Sequence, residues 1–497
     1  MAKINMRAYI LGIDIGTGST KAVAVNFEGK PIGESQFYYP ISNPKPGYQE
    51  QNPFQILEAF KNCITSIINK IGESPIAISF SCAMHTLIPV DKDCWPLAEM
   101  MTWADYRSES IAERIRTGNE GELLYRACGT PIHAMSPLCK IIWLRENIHD
   151  LFVNTYKFIS IKEFIWHYLF NEFEVDYSIA SSSGLFNILD LNWDTKACEL
   201  AGITSNQLSN LVKTTYLRDK IVHKALNELN LNPNTKFVIG ASDGCCANLG
   251  SDTILAGTAA LTIGTSGAVR ITGKKPIYNF NSMTFNYLLN NQTYVSGGAI
   301  NNGGIVFKWL VNTFTNENTK TGEDAYNSAL NQIKNIAVGS DDLVFLPYLY
   351  GERAPIWDTK SCGVFFNIKP SHTSAHFLRA GLEGICYALF DVLTTIETSS
   401  APIKQLNISG GFINSPIWVQ ILADITGKRL SIVQTEDASA IGAIYLAMEA
   451  LDISIPKNEN LESIEPDMNN HQQYNQAFKL FKLLYTNLKD TMHLINR

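Results

Sequence analysis

The chain has 497 residues, 40 basic and 47 acidic, for a formal charge of −7; at roughly 100–200 residues per domain it is too long for one core and suited to two. Charged residues make up 18% of it, below the usual ~25%, and the acidic balance excludes a protein built around a basic nucleic-acid stripe. Its 45% hydrophobic content excludes disorder, and the longest uncharged stretch, residues 276–307, is studded with asparagines such as Asn279, Asn290 and Asn301, which no bilayer span of about 20 apolar residues would carry.

Residues 1–10 lack an apolar leader core and run straight into a strand, so a cytoplasmic protein is expected. There the ten cysteines, scattered without C-x-x-C spacing, would stay thiols and fill core positions. From Tyr9 to Tyr39 the pattern reads strand, turn, strand, turn, strand, an antiparallel meander. Ser136 and Pro137 cap and open a helix through LCKIIWLRENI. The apolar strand KFVIGA leads into SDGCCANLG, and the boundary between halves is expected near Ser251. Residues 261–271 then echo residues 13–23, with an Ile-Gly-Thr turn between β-branched strands, which suggests two related halves. From Ser374 a long helix carries Leu378, Leu382, Ile385, Leu389, Val392 and Ile396 as one buried stripe. Gly381 and Gly384 beside that stripe lower helix propensity, which predicts a close-packing role. Ser415 and Pro416 open a last capped helix, closed by Gly427.

Several of these segments could carry chemistry. DIGTGSTK, Asp14 to Lys21, fails both the dinucleotide fingerprint and the P-loop, because the third glycine and the GK[ST] spacing are missing and a strand follows. What remains is a tight turn whose backbone N–H groups and hydroxyls suit phosphate oxygens. Asp14 at the strand end could hold hydrated Mg²⁺. The same residues also fit an ordinary hairpin with a capping Asp. Gly264-Thr-Ser-Gly267 repeats that chemistry with Thr262 in the place of Asp14, so two turns and one carboxylate fit a single metal–nucleotide. Gly410 and Gly411, between a strand and a helix, would let adenine lie against the backbone. Asp243, at a strand's carboxyl end, could accept a proton from a substrate hydroxyl, or simply cap the next helix. Trp103, Asp105 and Arg107, with Met84 and His85 upstream, mix an aromatic wall with charges as a sugar site does, or mark a surface helix start over a buried tryptophan.

Taken in order along the whole chain, DIGTGSTK, the Asp243-Gly turn, GTSG, SGGFINSPIWVQILADITGK and DASAIGA resemble the FGGY family of carbohydrate kinases. Residues 135–147 match that family's first signature at every constrained position, and residues 376–383 match the second except at Gly381. The resemblance implies an α/β chain of two ribonuclease-H-like domains, of the actin and hexokinase type, with an interdomain active-site cleft. Residues 1–251 would bind sugar and supply the first phosphate turn; residues 252–497 would bind ATP. Within the family, SCAMHTLIPVD, TWADYRS and GTPIHAMSPLCK look most like the members that phosphorylate gluconate, which implies conversion of D-gluconate to 6-phospho-D-gluconate. D-xylulose is the alternative acceptor, and a non-transferring actin-fold ATPase or sugar sensor the distant one.

In that reading Asp243 is the catalytic base, and Met84, His85, Trp103, Asp105, Arg107, His133 and Lys140 bind substrate with it. Arg107, His85, His133 and Lys140 are the candidates to meet the carboxylate. Thr17, Gly18, Ser19, Lys21, Gly264, Thr265, Gly410, Gly411 and Asn414 hold ATP, and Asp14 and Asp243 hold Mg²⁺. Closure about a hinge near Ser251 would exclude water. The expected partners are a small sugar acid and ATP, with no nucleic acid and no membrane, and a homodimer as one option for assembly.

Overall fold

The opening meander forms as β1 (Tyr9–Ile15), β2 (Ser19–Asn26) and β3 (Pro31–Tyr38), each antiparallel to the next. The computed structural model to which they belong describes residues 8–253, 257–315, 323–433, 437–455 and 462–495. Residues 1–7, on which the leader reading partly rests, lie outside the described residues, as do 254–256 beside the expected boundary. Helix α1 (Pro53–Ile71) starts where Asn52 accepts from the amides of Phe54 and Gln55, and stops at Gly72 in the left-handed region. β4 (Ala77–Cys82) follows, parallel to β1. Helix α2 (Pro137–Asn147) is capped by Ser136, as its Ser-Pro start predicts. β5 (Lys236–Ser242) is parallel to β4 and runs directly into α3 (Asp243–Gly250).

The second half repeats the plan. β6 (Thr258–Ile263) and β7 (Gly267–Gly273) form a hairpin across the GTSG turn, β8 (Phe285–Asn290) and β9 (Thr293–Ile300) form another, and β9 pairs with β7. After α4 (Gly304–Phe314) and α5 (Ser374–Glu397) come β10 (Gln405–Ser409), α6 (Pro416–Thr426), β11 (Arg429–Ile432) and α7 (Ala438–Ala450). β6, β10 and β11 are parallel neighbours. The orders β5-β4-β1-β2-β3 and β11-β10-β6-β7-β9 are therefore the same in strand sequence and direction, with β8 and short edge strands added outside. The likeness of residues 13–23 and 261–271 is thus the visible part of a repeated architecture.

Each half has its own core, and the predicted stripe of α5 is buried along its length. Helix α7 crosses over: its Ala440, Ile441, Ile444 and Met448 pack on Ile10, Val25, Ala77 and Val238 of the first sheet. Helices α3 and α7 cross closely, because a Cβ on Gly442 would lie 1.9 Å from the carbonyl oxygen of Cys246 and one on Gly250 2.1 Å from that of Ala438. All ten cysteines are free thiols, nine of them buried. Among the described residues no helix is long and apolar enough to cross a membrane.

Candidate active site

Two cavities open between the halves and share Thr262. The first, of about 320 Å³, has Asp243 in its wall. Ser242 caps α3 through the amide of Cys245, so the capping role that Asp243 could have filled belongs to its neighbour. Asp243 accepts from the adjacent Gly244 amide at 2.7 Å. Burial lifts it above the usual carboxylate range, and the charge of Arg270 partly opposes the lift.

Met84, His85 and Trp103 face it from the first half. His85 adopts a left-handed backbone conformation. Its Nδ1 lies 2.8 Å from the carbonyl of Ser182, which can only accept, so Nδ1 carries the proton and Nε2 accepts from the Tyr287 hydroxyl at 3.2 Å. Burial, reinforced by Lys140, lowers His85 to about 3, and it is neutral at physiological pH. Trp103 donates from Nε1 to Thr17 Oγ1 at 3.0 Å and carries the Arg353 guanidinium 5.0 Å above its ring. One side chain therefore links the wall of this cavity to the turn at Thr17.

Four expected substrate contacts, Asp105, Arg107, His133 and Lys140, do not line this cavity. Arg107 is buried, donating to Asp105 and Glu50 at 2.6 Å each and stacked 3.5 Å over Tyr48. Asp105 takes the amide of Gln49 as well, so the pair braces residues 45–51 and does not line the cavity. Lys140 is 0% exposed, and its ammonium donates to the carbonyls of His85 at 2.6 Å and Thr102 at 2.7 Å. It shapes the backbone that presents His85 and Trp103. His133 accepts the Met135 amide, packs against Trp357, and is lowered by burial to about 3. None of the four expected cations offers a free positive charge to the cavity. Arg270 and Arg353 line it instead. The signal for Arg270 was present: an arginine inside the otherwise apolar strand that follows GTSG.

The second cavity, about 780 Å³, is lined by Asp14, Gly410, Gly411, Asn414 and the start of α7. Gly410 is required by its backbone, at φ 107° with a Cβ position 2.2 Å from the Ile263 carbonyl oxygen; Gly411 faces open space. Asp14 accepts from Ser81 Oγ at 2.6 Å across the β1–β4 register, and Thr262 meets Ser409 at 3.2 Å across the matching β6–β10 register. Burial first, then the charges of Asp243 and Asp437, raise Asp14 to about 6. In the first turn Ser19 accepts from Gln36, and Lys21 pairs with Asp437 at 2.6 Å and Glu34 at 3.2 Å, which ties β2 to the start of α7. Gly18 and Gly264 both have open space where a side chain would stand. The second turn sits on the start of α4, with the amides of Gly304 and Ile305 donating to the carbonyls of Gly264 and Thr265.

Residues 9–250 match the N-terminal domain of the FGGY family of carbohydrate kinases, and residues 259–451 match its C-terminal domain. A gluconokinase of Bacillus subtilis (strain 168) is 40% identical over 451 residues, 90% of this chain and 88% of that protein. A xylulose kinase of the same organism is 27% identical over 495 residues, 97% of each. Among solved structures, a ligand-bound xylulose kinase from Lactobacillus acidophilus gives a TM-score of 0.92 at 30% identity, over 98% of this chain and 100% of that one. A gluconate kinase from the same organism gives 0.90 at 30% identity, over 97% and 98%.

Proposed function

The chain belongs to the FGGY family of carbohydrate kinases, phosphotransferases with an alcohol group as acceptor, and we propose that its acceptor is D-gluconate, converted by ATP to 6-phospho-D-gluconate. The observation that carries the acceptor is the 40% identity to a gluconokinase over nine-tenths of the chain, against 27% for the xylulose kinase. D-xylulose is kept as a second reading because the xylulose kinase structure has the higher TM-score.

The terminal hydroxyl of gluconate, placed against Asp243, passes its proton to that carboxylate as its oxygen attacks the γ-phosphorus of ATP. The burial that raises Asp243 makes it a stronger base than a solvated aspartate. Phosphoryl transfer asks mainly for positioning and charge stabilisation. The turns at Thr17–Ser19 and Gly264–Thr265 supply backbone and hydroxyl donors for the phosphates, and Gly410, Gly411 and Asn414 form the wall for adenine. Among the described residues no three His, Cys, Asp or Glu side chains converge on a metal. The oxygen donors that are present suit a hydrated ion that arrives on the nucleotide. Asp14, with one oxygen on Ser81 and two further carboxylates close enough to raise it, is the residue that fits Mg²⁺, with Asp243 as the second. When bound, Mg²⁺ would neutralise phosphate charge.

The test is ADP release across D-gluconate, D-xylulose, D-ribulose, L-rhamnulose and glycerol. Gluconate is expected to give the highest kcat/KM, and a strong preference for a neutral sugar overturns the reading. Asp243→Asn is expected to remove gluconate-dependent ADP release by at least about 100-fold; undiminished turnover would remove Asp243 as the base.

A further inference from the structure

We propose that Arg270 anchors the carboxylate of the acceptor and makes this site select a sugar acid over a neutral polyol or ketose; the proposal rests on the gluconate reading above. Arg270 and Ala268 stand two apart on β7 and both line the acceptor cavity, as same-face residues of a strand do. The guanidinium of Arg270 makes no hydrogen bond or ion pair among the described residues. Every other cation near the cavity is engaged. Arg353 donates to Asn301 Oδ1 at 2.7 Å and to the Ile300 carbonyl at 3.1 Å, and Arg107 and Lys140 are saturated as described. A half-buried fork of five N–H donors without an internal partner is complementary to a planar anion, which it can bind through two parallel hydrogen bonds.

Position and charge agree with this. Arg270 lies three strand steps beyond Gly267, so its Cα is about 10 Å along β7 from the phosphate turn. An extended six-carbon acid measures roughly 7–8 Å from terminal oxygen to carboxylate, given C–C bonds of ~1.5 Å. A chain whose far hydroxyl faces the phosphate turn can therefore bring its carboxylate to the arginine. Gly244 keeps the space clear, because a Cβ there would stand 3.4 Å from Arg270 Nε and 3.2 Å from Met84 Cε. Among the described residues Asp243 is the sole carboxylate in the cavity wall, against two guanidinium groups. The acceptor cavity thus carries a positive balance inside a chain of net charge −7.

The experiment compares D-gluconate with D-glucitol, the same carbon chain with a hydroxymethyl group for the carboxylate, in wild type, Arg270→Gln and Arg270→Lys. Arg270→Gln is expected to lower kcat/KM for gluconate by roughly 100-fold or more and for glucitol by less than about 3-fold, with Arg270→Lys between. A wild-type measurement needs no variant: gluconate, but not glucitol, should protect Arg270 from phenylglyoxal, read by peptide mass. Equal loss on both acceptors with a shifted pH profile would mean that Arg270 acts through Asp243, and it would overturn the proposal. Absence of protection by gluconate would do the same. Failure of the wild type to phosphorylate gluconate would instead remove the gluconate reading itself.

Discussion

Asp14 and Lys140 are both buried ionisable groups, and their surroundings give them opposite tasks. Asp14 is raised to about 6 by burial first and by neighbouring carboxylates next. A carboxyl whose folded pKa lies above its unfolded value stabilises the fold where both states are protonated, below about pH 4, and that contribution is lost as pH rises through 6. At pH 7.5 the charged Asp14 therefore destabilises metal-free protein. Asp14→Asn is expected to raise stability there by about 1–3 kcal/mol, with the gain shrinking towards pH 4, while kinase activity is lost. Thermal melts in EDTA across pH 4–8 check it. Lys140 holds two buried carbonyls. Lys140→Met removes the donor to the His85 carbonyl and leaves the Thr102 carbonyl with the Asp105 amide at 3.3 Å; it should cost about 1–3 kcal/mol and raise KM for charged and neutral acceptors alike. Loss confined to gluconate would return Lys140 to the role of carboxylate contact.

Helix α5 shows what a glycine inside a helix implies. Its apolar stripe is legible because burial of one face imposes the 3.6-residue period. The two glycines raise the question of a partner, and only the packing supplies it. A Cβ at Gly384 would stand 2.5 Å from the backbone oxygen of Phe345, which cannot rotate away; one at Gly381 would meet the terminal carbon of Leu310 at 2.0 Å. Gly384→Ala should cost about 1–3 kcal/mol through overpacking. Gly381→Ala should cost less, since Leu310 can move and alanine returns about 0.8–1.0 kcal/mol of helix propensity. Urea denaturation of the two variants gives the comparison. The departure of Gly381 from the family signature is thus a matter of fit against α4. The Ser-Pro starts of α2 and α6 were equally legible, since capping is decided by adjacent residues. The start of α3 was not, because Ser242 and Asp243 are both good caps and only the backbone geometry selects between them.

Across the whole molecule the halves are joined by exchanged contacts. Helix α3 of the first half is tied to the second sheet through Asn248, which donates to Thr272 at 2.6 Å, while α7 of the second half packs on the first sheet. The Ser251 carbonyl, beside the expected hinge, accepts from Asn407 at 3.0 Å. The closure expected between the halves is therefore proposed to turn where α3 and α7 cross. Gly442→Ala, whose methyl would meet the Cys246 oxygen at 1.9 Å, is expected to separate that crossing and cost about 3 kcal/mol. With gluconate and a non-hydrolysable ATP analogue, the radius of gyration of wild type is expected to fall and that of the variant to stay unchanged, read by small-angle X-ray scattering. The sequence by itself determined the two halves, the two glycine turns, the capped helices and the family, because turn chemistry, capping and periodicity are local. It also placed Asp14 and Asp243 at strand ends. Tertiary structure alone decided which cations line the cavity. Arg107 and Lys140 were indistinguishable from binding residues until distant segments, Tyr48 and Glu50 for the one and the carbonyls of His85 and Thr102 for the other, arrived to bury them. Arg270 became a candidate only when the fold left its guanidinium beside the cavity with no hydrogen-bond partner among the described residues.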